Sequence, residues 1–130
     1  MIVTNQEQIN YWITSANEDL KVAESLFSNK HFAYCLYIGH LCLEKTLKAH
    51  YVKTQNKIPP KTHDLIYLSR FAAIEFNDEN LLFLDKVNSF LLEARYPDYK
   101  RSFYEICTHD FAEANFSQIK ELMKWLLSLI

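Results

Sequence analysis

The sequence predicts an all-α protein: an antiparallel up-and-down bundle of four long helices plus a short extra helix. Three observations carry this expectation. One Gly and three Pro among 130 residues are too few backbone breakers for many short strands and hairpins. Apolar residues recur at steps of three and four along most of the chain, the period of a helix buried on one side. The stretch from His31 to Lys53 is apolar around so much of its circumference that it belongs at the centre, against several partners.

The elements follow in order. Thr4 and Glu7 form a capping box, the hydroxyl and carboxylate serving free backbone N–H groups at a helix start. Ile9, Trp12, Ile13, Ala16, Leu20, Ala23 and Phe27 then trace one apolar face to about Ser28. Asn29 and Lys30 make a short turn, so the central helix returns antiparallel to the first. On it, Phe32, Leu36, Gly39, Leu43 and Leu47 share one face, and Ala33, Tyr37, His40, Glu44 and Tyr51 a neighbouring one with polar groups embedded. Pro59–Pro60 closes this region, and Thr62 or Asp64 can cap a short third helix over roughly 64–74. Asn77 or Asp78 starts a fourth, whose stripe of Leu81, Leu84, Asn88, Leu91 and Arg95 continues an apolar face with two polar residues. Pro97 stops it near Tyr96. Residues 96–107, YPDYKRSFYEIC, have no clean period and read as an ordered loop whose aromatic rings need surface to bury against. Asp110 and Glu113 form another capping box, and Phe111, Asn115, Ile119, Leu122, Leu126 and Leu129 mark a final helix. With no repeat, low-complexity tract or composition shift, residues 1–130 read as a single domain.

Composition narrows the function. A net charge of −2 gives no global pull toward nucleic acid, so any such contact is local. Cys35, Cys42 and Cys107 are odd in number and read as buried thiols of a reducing compartment. No secretory signal pattern or uncharged run long enough to span a membrane appears, and a cytoplasmic location without membrane partners is expected. A single Gly excludes a Gly-rich phosphate loop, and neither a zinc spacing nor a GxSxG elbow occurs. No metal or cofactor is expected.

Three polar clusters remain. Glu44, Lys45 and Lys48 lie with His40 on the central helix, where Glu44 and Lys48 are spaced for a helix-supporting pair. Thr62-His63-Asp64 precedes the third helix; its His reads as locally bonded, and as a general base it would need a partner and a nucleophile. Arg95-Tyr96-Pro97-Asp98-Tyr99 ends the fourth helix, with Lys100 and Arg101 beyond. A guanidinium on a core-facing stripe is costly unless it meets an acid (Asp98, Glu44 or Asp19) or faces a cleft, where its fork suits phosphate and the Tyr rings suit bases.

These pieces, in this order, resemble the HEPN domain. The matching segments are Ala16-Asn17-Glu18-Asp19-Leu20, then Leu43-Glu44-Lys45-Thr46-Leu47-Lys48-Ala49, then Thr62-His63-Asp64-Leu65, then Ala94-Arg95-Tyr96-Pro97-Asp98. The Arg-Tyr-Pro-Asp run is similar to that of the stand-alone bacterial branch. The resemblance implies a four- to five-helix bundle that commonly dimerises and is often encoded beside a minimal nucleotidyltransferase, in a toxin–antitoxin-like pair. It also implies, for many members, a metal-independent ribonuclease using an Arg followed after four to six residues by a His, two copies meeting in one dimer cleft. There the Arg steadies the phosphate and the His handles the proton of the attacking 2′-hydroxyl.

This chain departs from that motif. The permitted His positions hold Lys100, Arg101 and Ser102 after Arg95, Ile106, Cys107 and Thr108 after Arg101, and Glu75, Phe76 and Asn77 after Arg70. The expectation is therefore a dimeric nucleotide- or RNA-phosphate-binding module that acts with a minimal nucleotidyltransferase. Arg95, Tyr96, Asp98 and Tyr99 are its first ligand-binding candidates, with Lys45, Lys48, His63 and Asp64 behind them. Related systems imply that the partner modifies a Tyr near the motif, here Tyr96, Tyr99 or Tyr104. Two alternatives stand: an RNA endonuclease toxin whose His63 or His109 substitutes for the missing His beside Arg95, and a ligand-free helical scaffold.

Overall fold

A computed structural model of the chain describes residues 3–96, 98 and 101–130. Local chemistry starts most of its helices. The Thr4 hydroxyl accepts from the Glu7 N–H at 3.1 Å and opens α1, Asn5–Ser28. Lys30, in the left-handed conformation, turns the chain into α2, Phe32–Gln55. Asp64 caps α3, Leu65–Ser69, and Asn77 caps α4, Asp78–Arg95. Two further helices follow, α5 (Ser102–Ile106) and α6 (His109–Ser128). The described residues contain no strand, and no helix among them is long and apolar enough to cross a membrane.

Helices α1, α2, α4 and α6 form the up-and-down bundle. Asn5 at the start of α1 bonds Asn56 just beyond α2, so those two run antiparallel. Phe76 meets Trp125 while Phe90 meets Phe111, so α4 and α6 also run oppositely. Helix α2 touches every other helix and buries 15 of its 24 residues, as its all-round apolar pattern requires. Its three facing leucines, Leu36, Leu43 and Leu47, are fully buried. Cys35, Cys42 and Cys107 are free and buried, and burial pushes each thiol up to about 12, so none is a thiolate at neutral pH.

Three expectations are corrected. The bundle carries two short helices where one is expected, because the aromatic segment before Cys107 contains α5. There the Asp98 carboxylate accepts from the Ser102 N–H at 2.9 Å and its hydroxyl at 2.8 Å, and Phe103 buries against Phe90. Helix α3 stops at Ser69, well short of residue 74; beyond it the Phe71 carbonyl is drawn off to the Thr54 hydroxyl. Helix α6 is capped by Thr108, not Asp110, since the Thr108 hydroxyl accepts from the Phe111 N–H.

Gly39 sets how closely α2 and α6 approach. A Cβ there would lie 2.8 Å from the Ile119 δ-methyl. We expect Gly39→Leu to cost about 1–3 kcal/mol in urea melts, because the added bulk must separate two packed helices. Gly39→Ala should be near neutral: the methyl at the tip of Ile119 can turn aside, and Ala favours the helix by about 1 kcal/mol over Gly.

Candidate functional site

The first polar group lies where α2, α3 and α4 meet. Glu44, one turn from both His40 and Lys48, is buried, as are His40 and Lys48 themselves. Its carboxylate has two sets of partners. Oε2 accepts from Lys48 Nζ at 3.0 Å, and Oε1 accepts from His63 Nδ1 at 2.7 Å. His40 donates from Nε2 to the His63 carbonyl at 2.8 Å, which holds that residue's backbone against α2. Asn88 on α4 completes the seam, accepting from the Leu65 N–H at 3.0 Å and donating to Asp64 Oδ1 at 3.0 Å. A buried carboxylate requires such partners, since ionised and unpaired it would be expelled or neutralised.

Three consequences follow for the site residues. Lys48 is committed to Glu44 and lies over the Trp12 ring at 5.3 Å. Lys45 forms an ion pair with Asp19 at 2.7 Å and donates to Ser15, so both lysines serve the α1–α2 contact. His63 gains the acidic partner that the sequence alone does not identify: its Nδ1 rests on Glu44 while its side chain is 53% exposed. A histidine oriented by a buried carboxylate, with its other nitrogen near solvent, has the form of a proton-transfer group. Burial pulls the pKa of His40 below its ordinary value of 6.5, against the upward pull of nearby Glu44, and keeps it neutral.

The second group sits at the end of the bundle where α4 finishes and α2 and α6 begin. Arg95 is exposed, not core-facing as its stripe suggests; the stripe is buried at Leu84 and Leu91 and rotates out by the last turn. The acids available to it by sequence are otherwise engaged: Glu44 with Lys48 and His63, Asp19 with Lys45, and Asp98 on Ser102. Among the described residues Arg95 has no ion pair, and its guanidinium carbon lies 5.5 Å from the Tyr96 ring centroid. Tyr99 lies outside the described residues. Tyr96 and Asp98 share a recess with Glu93, whereas Arg101 stacks on Tyr104 at 4.4 Å on the other side of α5. His109 bonds Asp110 at 3.1 Å and approaches Glu113 at 3.3 Å, with its ring against Phe27 and Phe32.

The structure thus separates the two sets of candidates. His63, Asp64 and Lys48 gather around Glu44, while Arg95, Tyr96 and Asp98 gather at the bundle end. Asn88 and Arg95 are seven residues apart on α4, about 10 Å of helix rise. No described His pairs with Arg95. The part of His40 and Asn88 in holding the His63 segment is visible in the sequence only as polar residues interrupting apolar stripes.

Fold and site together define a class: a small up-and-down helical bundle with a buried Glu–Lys–His network on its central helix and an exposed arginine at one end. The chain belongs to the HEPN domain family, whose model matches residues 9–129. Its structure is similar to the crystal structure of ST0689, an archaeal HEPN homologue, with a TM-score of 0.72 over 93% of this chain and 96% of that one. At 21% sequence identity that likeness concerns the fold. No curated protein matches the chain.

Proposed function

We propose that this HEPN protein, of the stand-alone Arg-Tyr-Pro-Asp kind, is a dimeric module that binds nucleotide or RNA phosphate. It partners a minimal nucleotidyltransferase in a toxin–antitoxin-like pair and does not cleave RNA through an Arg-x4–6-His motif. The carrying observation is Arg95: an exposed guanidinium beside an aromatic ring, with no ion pair among the described residues. A fork of donors left open to solvent suits a phosphate, and a neighbouring ring suits a base. Arg101 and Lys30 add charge at the same end of the bundle, and Leu82 and Leu92 expose apolar surface along α4 for a second copy. Tyr96 and Tyr104, both near this surface, remain the residues open to modification by the partner; Tyr99 belongs with them by sequence.

The test pairs binding with stability. Arg95→Ala should weaken binding of a short single-stranded RNA at least tenfold while changing stability by less than about 0.5 kcal/mol, as surface substitutions do. A loss of several kcal/mol would instead mark Arg95 as a structural ion-pair residue and favour the scaffold. The exposed His63 held by Glu44 keeps one second reading open, a metal-independent endonuclease. Purified protein in chelator should leave RNA intact; cleavage that disappears in His63→Ala would replace the binding reading with that one.

A further inference from the structure

Between the α1–α2 turn and α5 lies a cavity of about 230 Å³ whose lining includes Lys30, His31, Tyr34, Arg101 and Tyr104. Three of these side chains are basic, and among the described residues no acid lines the cavity. The recess on the other side of α5 differs: at about 140 Å³ it is smaller, and Glu93 and Asp98 line it, so it would repel an anion. The guanidinium of Arg101 is held over the Tyr104 ring at 4.4 Å, a cation–π contact that limits its motion and leaves its N–H fork for an acceptor. Tyr34 meets Tyr104 edge-on, with centroids 6.0 Å apart at 66°. Tyr34 is 50% exposed as a residue, which leaves surface for stacking.

We infer that this cavity is the nucleotide subsite of the protein, with Arg101 and Lys30 holding the phosphate and Tyr34 stacking the base. The inference rests on the phosphate-binding reading above and narrows it to one place. His31 adds a donor for a second anionic oxygen. Hydrogen bonding with Tyr34 and, after it, burial raise the pKa of Tyr104 above its ordinary value, so the phenol is neutral beside a phosphate. A free mononucleotide and the exposed end of an RNA strand offer the same chemistry, and the probes below distinguish them.

The experiment is equilibrium binding by the full chain of adenosine 5′-monophosphate, inorganic phosphate and a short oligoadenylate. Arg101→Gln and Lys30→Gln should each weaken both nucleotide probes at least tenfold. Tyr34→Ala should weaken adenosine monophosphate tenfold and leave inorganic phosphate unchanged, since only the base needs the ring. All three positions are exposed, so each variant should melt as the parent does, and melting curves check this. Tight oligoadenylate binding with weak monophosphate binding identifies the strand as the source; the reverse identifies the free nucleotide. If Arg95→Ala abolishes binding while the three cavity variants bind like the parent, the subsite is elsewhere and the wider reading survives. If the parent binds none of the probes, both fall.

Discussion

Replacing Glu44 with Ala is expected to cost about 3–5 kcal/mol, the toll of stranding a buried charge. Lys48 would keep a buried ammonium with no carboxylate, and His63 would lose the acceptor of its Nδ1–H. The loss should extend beyond the ion pair. Glu44 and His40 together hold the residue-63 segment on α2, so amide exchange at Leu65 and its neighbours should accelerate in Glu44→Ala. A second variant separates charge from packing. Glu44→Leu combined with Lys48→Met removes both buried charges and should recover most of the stability, because an apolar pair of similar volume has no desolvation penalty. Urea denaturation of the three proteins decides the matter. A cost below about 1 kcal/mol for Glu44→Ala would mean that solvent reaches the network and that the pair contributes as a surface pair does.

Acid should destabilise the protein well before its carboxylates protonate. His40 and His50 both have pKa values below the ordinary 6.5, in each case chiefly through burial. The groups facing them are specific. His40 meets the His63 carbonyl, Glu44, Asn88 and the His63 ring; His50 donates to the Leu126 carbonyl at 2.7 Å and lies near Lys53. The unfolded chain therefore binds protons that the folded chain refuses. These two contributions are complete above pH 6.5 and are lost as pH falls from there through the folded-state values. The slope approaches about 1.4 kcal/mol per pH unit for each histidine between those limits. Stability measured between pH 7.5 and 5 should fall along that course, and a His50→Gln variant should lose part of the slope. A flat profile over the range would mean that neither histidine is held neutral by the fold.

The local part of this structure was legible in the residues. Thr4, Asp64 and Asn77 cap their helices because a side-chain oxygen reaches an N–H two or three residues away, which needs no tertiary partner. The central place of the His31–Lys53 stretch followed from its apolar circumference, since such a helix has no stable position at a surface. Helix α5 escaped this reasoning because its five residues rest on Asp98 and on burial of Phe103, and neither leaves a period. The site was legible in outline only. The segments around Glu44, His63 and Arg95 could be picked out, but what each side chain touches could not.

By itself, then, the sequence determined the four long helices, their order, the caps of α1, α3 and α4, and the hub, because these depend on spacings of a few residues along one chain. The tertiary structure alone decided the partners of the polar groups. His63 meets Glu44 across 19 residues, and His50 meets the Leu126 carbonyl across 76. Arg95 turns to solvent although its stripe is still buried one turn earlier, at Leu91. Such pairings depend on how far each helix is rotated and how closely it approaches its neighbours. That geometry is fixed by contacts such as Gly39 on Ile119, between residues 80 positions apart.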